Sequence, residues 1–189
     1  MTKIVIDGNI GAGKTTQLNR IEKLGFRVVK EPIEQWPLDL FYSDPERWGF
    51  LFQMVILSTL QVQVQDGPCV YERCPLSSLQ VFWKLMKKHP VEDSTYQQFY
   101  KKHGWSPDVY IYISTPPEVC FERLKDRHQE GDTAVTLEYL KALDLCYRDM
   151  FRDMTCPKYM VDGTQSQNDI IKNILDIINN DGPVPVEKL

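Results

Sequence analysis

Residues 8–15 read Gly8-Asn9-Ile10-Gly11-Ala12-Gly13-Lys14-Thr15, and this segment determines which fold the chain can adopt. It matches the phosphate-binding loop pattern G-x-x-x-x-G-K-[ST] at every fixed position. Glycines let successive backbone N–H groups turn toward phosphate oxygens, and the following helix directs its positive N-terminal end at the same anion. We predict that residues 8–16, Thr16 included, bind the phosphates of ATP, with Lys14 on the β- and γ-phosphates and Thr15 on Mg²⁺.

The neighbouring sequence supports this interpretation of the loop. Residues 3–6 (Lys-Ile-Val-Ile) are typical of a short buried strand. Residues 15–24 have apolar side chains at 18, 21 and 24, a spacing that indicates a helix, and Gly25 then ends it. Strand, glycine loop and helix therefore follow one another in the order that the motif requires.

Composition limits the class of protein. The 189 residues include 22 basic and 26 acidic side chains, a net charge of −4, which argues against a general nucleic-acid-binding surface. Five cysteines lack C-x-x-C or metal-ligand spacing, so free thiols are expected. No apolar run approaches the length of a membrane span, and no signal or transit peptide is seen. We expect a cytoplasmic protein without a membrane or nucleic-acid partner.

Strand and helix patterns alternate along the rest of the chain. Further strands are predicted at 26–29, 69–71, 109–113 and 159–161. Further helices are predicted at 38–42, 47–65, 76–88, 94–103, 117–127, 136–151 and 168–178. This alternation predicts an α/β P-loop kinase fold, a parallel five-stranded sheet with helices on both faces. Residues 1–189 are expected to form one domain, with a flexible tail at 181–189.

Charged residues follow two of the predicted strands. Glu31 comes after the second strand, and Glu72 and Arg73 come after the third. Because the carboxyl ends of parallel strands meet at one edge of the sheet, these residues should converge on the phosphate loop. Glu31 can take a proton from an alcohol acceptor, Glu72 can hold Mg²⁺, and Arg73 can neutralise phosphate charge. The alternative is that all three are ordinary solvated residues at strand ends.

Two further groups of residues allow both a functional and a structural interpretation. Arg123 and Arg127 share one face of a predicted helix before a polar loop, so residues 123–134 can form a lid over ATP; the alternative is a salt-bridged helix surface. Gln53 lies among apolar residues, and its amide can bond a nucleobase edge. Trp36, Phe52 and Phe82 can stack on that base, although aromatic residues at helical spacing usually belong to the core.

Together these segments resemble the deoxynucleoside kinase family, which includes thymidine kinase 2, deoxycytidine kinase and the insect deoxynucleoside kinases. The motifs Gly-Asn-Ile-x-x-Gly-Lys, Glu-Pro-x-x-x-Trp, Tyr-x-x-Pro-x-x-Trp-x-x-x-x-Gln and Glu-Arg occur in order over roughly residues 3–145. The resemblance implies transfer of the ATP γ-phosphate, with Mg²⁺, to the 5′-hydroxyl of a deoxynucleoside, and a homodimer.

The resemblance also implies individual roles. Glu31 is the general base on the 5′-hydroxyl, Arg73 positions that hydroxyl and the base, and Gln53 reads the nucleobase. The base cavity is built by Trp36, Phe52 and Phe82. The 3′-hydroxyl is bound by Tyr42 and Asp132. The lid arginines that contact phosphates are Arg123 and Arg127.

Several positions depart from the family pattern. Cys74 stands where serine often follows Glu-Arg, Gln129 replaces a lid arginine, and Asp132 is one methylene shorter than the family's glutamate. Deoxycytidine- and purine-preferring members carry an arginine and an aspartate beside the base, where this chain has Leu60 and Ser78. That uncharged pair leads us to expect phosphorylation of both thymidine and deoxycytidine.

Two other functions remain open from the sequence. Gly11–Gln17 also resembles thymidylate kinases, but that family follows Glu-Pro with a glycine-rich turn, whereas this chain has Ile33-Glu34-Gln35-Trp36. A non-catalytic nucleotide-binding protein is the second alternative, and the intact Lys14, Glu31 and Arg73 argue against it.

Overall fold

The fold is built on five parallel strands in a computed structural model that describes residues 2–62, 64–127 and 132–181. The strands are β1 (Lys3–Asp7), β2 (Val28–Val29), β3 (Cys69–Glu72), β4 (Val109–Ser114) and β5 (Lys158–Asp162). Their order across the sheet is β2-β3-β1-β4-β5. The central strands are rich in Val and Ile and are buried except at Lys3 and Ser114, as expected for a sheet covered on both faces. The predicted α/β class and parallel sheet are therefore confirmed.

Helices connect the strands. They are α1 (Lys14–Lys23), α2 (Leu38–Ser43), α3 (Pro45–Val62), α4 (Pro75–Ser77), α5 (Trp83–Leu85), α6 (Pro90–His103), α7 (Pro117–Arg127), α8 (Leu137–Asp153) and α9 (Gln167–Asp181). A π-helical segment, Ser78–Phe82, joins α4 to α5. Short 3₁₀ turns occupy Ile33–Gln35 and Asp132–Ala134. No helix within the described part of the chain is long and apolar enough to cross a membrane.

Strand register brings the functional segments together. β1 lies between β3 and β4, and Ile6 pairs with Glu72. The backbone N–H of Arg73 then donates to the carbonyl oxygen of Ile6 at 3.2 Å. As a result, the phosphate loop after β1 and Arg73 after β3 leave the same edge of the sheet side by side.

A main core surrounds the sheet, and α3 adds two smaller apolar clusters. One contains Phe41, Phe52, Ile56 and Leu60, and the other contains Leu57, Trp83 and Tyr96. α3 therefore packs one face against α2 and another against the helices that follow β3. This double packing holds Gln53, which lies between the two faces, in a buried position.

Several predicted boundaries were wrong, including both ends of the helix predicted at 47–65, which is Pro45–Val62. The helix predicted at 76–88 begins at Pro75, contains the π-helical turn and ends at Leu85. The second strand is only two residues long, because only Val28 and Val29 pair with β3. The helix predicted from 94 begins at Pro90, because the His89 ring accepts a hydrogen bond from the Val91 backbone and caps it.

Candidate active site

The phosphate-binding loop lies between β1 and α1, and its shape depends on glycine. Gly8 and Gly11 have φ of 152° and 80°, and a Cβ on either would lie 2.7 Å from a backbone oxygen, of Ile113 and Cys120 respectively. Only glycine fits both the space and the backbone angles. Gly13 precedes α1 without a side-chain cap, so the first helical amides are not blocked by a capping side chain. Such amides favour an anion.

Lys14 folds back over the loop. Its Nζ donates to the carbonyl oxygens of Gly8 at 3.1 Å and Asn9 at 2.9 Å. Burial, together with the positive charge of Arg73, lowers the pKa of Lys14 to about 8. Burial and Arg73 thus outweigh the attraction of Glu72, Glu31 and Asp7, and an incoming phosphate would add negative charge beside the ammonium.

The Asn9 side chain supports the loop from behind. Its Nδ2 donates to the Leu140 carbonyl of α8 at 2.8 Å, and its Oδ1 accepts from the Ile10 N–H at 2.9 Å. Asn9 is fully buried. Any contact that Asn9 makes with phosphate must therefore come from its backbone.

Thr15 and Glu72 meet beside the loop. Thr15 Oγ1 donates to Glu72 Oε1 at 2.9 Å. A hydroxyl and a carboxylate oxygen are ligands that Mg²⁺ prefers, and the ion usually takes only one or two protein ligands beside phosphates and water. No cluster of three or more His, Cys, Asp or Glu side chains suited to a metal occurs in the described ranges. The two residues fit the donor set predicted for Mg²⁺.

Arg73 and Glu31 form a buried ion pair in the pocket. Arg73 Nη1 lies 2.6 Å from Glu31 Oε2, and the two side chains are 9% and 5% exposed. Burial raises the pKa of Glu31, while the positive charge of Arg73 opposes that rise. The guanidinium also lies over the Phe82 ring, 4.9 Å from its centre. A carboxylate of raised proton affinity is thus held in one orientation by an immobile cation.

A second buried network holds Arg73 from the other side. Arg73 Nε donates to the Tyr147 hydroxyl at 3.0 Å, which in turn donates to Asp7 Oδ1 at 3.0 Å. Asp7 Oδ1 also accepts from the Gly8 N–H at 2.8 Å, and Asp7 Oδ2 accepts from Ser77 Oγ. Arg73 Nη2 reaches the Gly8 carbonyl at 3.3 Å. The same arginine is therefore tied to the phosphate loop and to Glu31.

The backbone of Arg73 is itself unusual. Its φ is 63°, the only positive φ at a non-glycine residue among the described residues. A non-glycine residue adopts this region rarely and at an energetic cost. The contacts with Asp7, Tyr147 and Glu31 offset that cost and keep the guanidinium pointing into the pocket.

Beyond the ion pair, the pocket has an aromatic and apolar wall. Phe41 stacks on Phe52 with ring centres 4.3 Å apart, and Trp36 meets Phe52 edge-on at 6.5 Å. Trp36 Nε1 donates to Thr59 Oγ1 at 3.0 Å, which fixes the indole. All ten residues predicted to bind the acceptor line this one pocket: Glu31, Trp36, Tyr42, Phe52, Gln53, Leu60, Arg73, Ser78, Phe82 and Asp132.

One polar group interrupts the apolar wall. Gln53 Oε1 accepts from Ser78 Oγ at 3.2 Å, and Ser78 Oγ lies 2.6 Å from the Tyr96 hydroxyl. Flat aromatic surfaces with one buried amide provide the stacking and edge contacts that a nucleobase requires.

Tyr42, Asp132 and Arg127 form the rim. Arg127 donates two hydrogen bonds to Asp132, from Nε to Oδ2 at 2.9 Å and from Nη2 to Oδ1 at 2.5 Å. Burial raises the pKa of Tyr42, and the nearby charge of Asp132 adds to the rise. Tyr139 lines the same side of the pocket. A phenol and a carboxylate therefore face the cavity together.

The two lid arginines do not point the same way, contrary to the shared face that their spacing predicts. Arg127 lines the pocket, whereas Arg123 donates to the carbonyl oxygens of Ala12 at 3.3 Å and Gly163 at 2.9 Å. Arg123 thus bridges the phosphate loop to the turn after β5. The middle of the predicted lid, 128–131 with Gln129, lies outside the described residues.

Sequence reasoning missed the residues behind the pocket. Asp7 and Tyr147 contact Arg73, and Ser77 donates to Asp7. Tyr96 lies within hydrogen-bond distance of Ser78. Phe41, which stacks on Phe52, and Tyr139 line the wall. Asp7 offered one signal, a charge at the end of an apolar strand immediately before Gly8. The others fall at ordinary helical positions, where hydrophobic spacing carries no information about polar partners.

The chain is similar to known proteins over most of its length. The sequence model described as "Deoxynucleoside kinase" matches residues 4–180. Protein 143R of Invertebrate iridescent virus 6, which carries the name of a kinase, is 31% identical over 191 residues, spanning 95% of this chain and 98% of that protein. The thymidine kinase of Ictalurid herpesvirus 1 is 29% identical and spans 92% and 84% of the two chains.

A solved structure is similar over nearly the whole length. The deoxyadenosine kinase from M. mycoides, determined with dCMP and dCDP bound, superposes with a TM-score of 0.84 at 26% sequence identity. The alignment spans 95% of this chain and 99% of that chain.

Proposed function

This chain belongs to the deoxynucleoside kinase family of phosphotransferases, and from that premise we propose that it phosphorylates thymidine and deoxycytidine on the 5′-hydroxyl with Mg·ATP. The observation that carries the proposal is a single pocket in which the phosphate loop, the Glu31–Arg73 pair and the Gln53 wall are continuous. A nucleoside spans these features in the right order, since its base fits against flat rings and its 5′-hydroxyl lies toward the phosphates.

Glu31 is the proposed proton acceptor. Burial raises its pKa, which increases its affinity for the proton that the 5′-hydroxyl releases. The transition state of phosphoryl transfer is loose, so the proton leaves late and positioning does most of the catalysis. Arg73 holds Glu31 at 2.6 Å and so keeps the base in place before the acceptor arrives.

The phosphates and the metal are proposed to bind at the end of the pocket that the phosphate loop forms. The amides of residues 8–16 and Lys14 are proposed to bind the β- and γ-phosphates. Arg127, at the rim of the pocket, is proposed to contact the phosphates as well, and Arg123 stabilises the loop through the Ala12 carbonyl. Thr15 and Glu72 would hold Mg²⁺, which neutralises phosphate charge when bound. These two side chains already lie 2.9 Å apart beside the loop.

A pyrimidine is the proposed base. Leu60 and Ser78 line the pocket without charge, and Gln53 is the amide that bonds the base edge. A thymidine kinase among the relatives supports thymidine as one acceptor. Tyr42 and Asp132 are proposed to bind the 3′-hydroxyl, which requires Asp132 to exchange part of its contact with Arg127.

A homodimer is a further part of the proposal. Leu51 and Val62 of α3 are 49% and 76% exposed, an apolar surface that a second copy can cover. Analytical ultracentrifugation tests this directly. A dimer that the substitutions Leu51→Glu and Val62→Glu convert to monomer supports it, and a wild-type monomer at micromolar concentration rules it out.

Glu31→Gln tests the catalytic role. We expect kcat for thymidine to fall by a factor of about 10² or more, since general-base catalysis contributes 10²–10⁴-fold, while the Kd for ATP is unchanged. Glu34→Gln is the matched control, because Glu34 is an exposed glutamate of the same loop. Equal kcat values for the two variants would refute the assignment of Glu31.

A further inference from the structure

The cation that orients Glu31 also weakens it as a base. Arg73 Nη1 lies 2.6 Å from Glu31 Oε2, and the two side chains are 9% and 5% exposed. A positive charge so close stabilises the ionised carboxylate and lowers its affinity for a proton. A general base works best when its pKa lies near the operating pH. A negative charge on the other side of the guanidinium would oppose this weakening.

Asp7, the last residue of β1, places such a charge there. Its side chain is fully buried, and its Oδ1 lies 3.4 Å from Arg73 Nε. The Gly8 N–H and the Tyr147 hydroxyl donate to the same oxygen at 2.8 and 3.0 Å, and Ser77 Oγ donates to Oδ2. Among the described residues, all hydrogen-bond partners of this carboxyl group are donors, which is the environment that an ionised carboxylate requires.

The buried charges around the phosphate loop do not balance. Within the described ranges they comprise three carboxylates and two cations: Asp7, Glu31, Glu72, Lys14 and Arg73. Burial raises the pKa of Glu31; the charge of Arg73 opposes that rise, the charge of Glu72 adds to it, and the charge of Lys14 opposes it. Surplus negative charge in a buried site favours the binding of a proton. The cluster therefore has one carboxylate more than its cations can neutralise.

The other titratable groups that face Asp7 are neutral. Burial, followed by the charge of Asp7, raises the pKa of Cys74 to about 12. Burial also raises the pKa of each phenol nearby, namely Tyr110, Tyr112 and Tyr147. The cations on which the charge of Asp7 acts are Arg73 and Lys14. Asp7 thus directs its charge at the guanidinium that holds the general base.

We propose that Asp7 is a positioning residue that keeps Glu31 basic. Its buried negative charge opposes the field of Arg73, so that one guanidinium orients Glu31 without suppressing its affinity for a proton. At an effective dielectric constant of about 20, a unit charge about 8 Å away, across one guanidinium, changes a proton affinity about thirtyfold. The inference rests on the proposed function, in which Glu31 accepts the proton of the 5′-hydroxyl. Within the described ranges no hydrogen bond joins Glu31 to Thr15 or Glu72.

NMR titration of the free protein, isotopically labelled at the glutamate carboxyl carbons, measures the proton affinity of Glu31 without substrate. The resonance that disappears in Glu31→Gln belongs to this residue. We expect Asp7→Asn to lower the midpoint of the Glu31 titration by about one pH unit or more, at least a tenfold loss of proton affinity. The asparagine amide keeps an oxygen for the Gly8 and Tyr147 hydrogens, so the substitution removes the charge and retains these contacts.

Asp144→Asn is the matched control. Asp144 is also buried, at 6% exposed, but its partners are the Tyr112 hydroxyl and Arg148. Its loss of charge should leave the Glu31 midpoint unchanged. Asp7→Glu keeps the charge and should keep the midpoint of the wild-type protein. Asp7→Ser is a second neutral variant, for which we expect the same lowering if the asparagine variant does not fold.

The outcomes separate the two claims. With saturating Mg·ATP, the acid limb of kcat/KM for thymidine should move to lower pH in Asp7→Asn by the same amount as the Glu31 midpoint. A midpoint that is unchanged or higher in the neutral variants refutes the role of Asp7 while the proposed function stands. Equal lowering by Asp144→Asn refutes it as well. If the wild-type protein phosphorylates neither pyrimidine nucleoside, the proposed function fails, and the titration still decides whether Asp7 acts on Glu31.

Discussion

Replacing Tyr147 by phenylalanine removes one hydroxyl from the network behind Arg73. That hydroxyl accepts from Arg73 Nε and donates to Asp7 Oδ1, each at 3.0 Å. Hydrogen bonds to charged groups contribute about 1.5–3 kcal/mol each. Arg73 Nε still lies 3.4 Å from Asp7 Oδ1, which recovers part of the loss. We therefore expect the free energy of unfolding to fall by about 2–3 kcal/mol.

The same change should lower the catalytic rate. Arg73 keeps its contact with Glu31 but loses the partner that fixes its other side, so the general base is held less firmly. We expect kcat to fall about tenfold, the effect of roughly 1.4 kcal/mol in the transition state, with the KM for ATP unchanged. Urea denaturation and steady-state kinetics measure the two effects.

Tyr112→Phe is the matched control. Tyr112 is equally buried and donates to Asp144 at 3.2 Å, but among the described residues no hydrogen bond joins it to Arg73. Its loss should cost about 1 kcal/mol of stability and leave kcat unchanged. If both variants have the same kcat, or if Tyr147→Phe keeps wild-type stability, the network does not position Arg73 and the reasoning is wrong.

Three other predictions follow from the phosphate loop. Lys14 has a pKa of about 8 in the free protein, and bound phosphate raises that pKa. The affinity for ATP should therefore fall as the pH rises through 8. An affinity that stays unchanged from pH 7 to 9.5 would contradict this. Gly11→Ala places a Cβ 2.7 Å from the backbone oxygen of Cys120, at a residue whose φ is 80°. We expect fluorescence titration to show that ATP binding is abolished. Normal ATP binding would show that the substitution does not strain the loop. Thr15→Val removes an oxygen from the pair with Glu72 and should raise the Mg²⁺ concentration for half-maximal rate about tenfold or more, while an unchanged Mg²⁺ dependence argues against this metal site.

The sheet and the convergence of the pocket residues were predictable from the sequence because they depend on local pattern and strand direction. The conformation of a glycine-rich loop between a strand and a helix follows from the sequence of the loop itself. Parallel strands place Glu31 and Arg73 at one edge whatever the intervening sequence is. These rules place Glu31 and Arg73 beside the phosphate loop, whereas the predicted base and sugar contacts, such as Tyr42, Leu60, Ser78 and Asp132, depended on the resemblance to the family.

The supporting network was not predictable, because it joins residues far apart in the chain. Asp7 and Tyr147 are 140 positions apart, and a tyrosine at a helical core position gives no sign of its hydroxyl partner. The direction of Arg123 was missed for a related reason. Helical spacing predicted one face for Arg123 and Arg127, but the carbonyls of Ala12 and Gly163 to which Arg123 donates belong to two distant loops.

The most direct test of the central claim is product analysis by chromatography after incubation with Mg·ATP. Thymidine, deoxycytidine, deoxyadenosine, deoxyguanosine and thymidylate are supplied separately as acceptors. The account predicts the 5′-monophosphates of thymidine and deoxycytidine, and their loss in Glu31→Gln. Diphosphate from thymidylate alone, or turnover of a purine nucleoside without either pyrimidine, would contradict it.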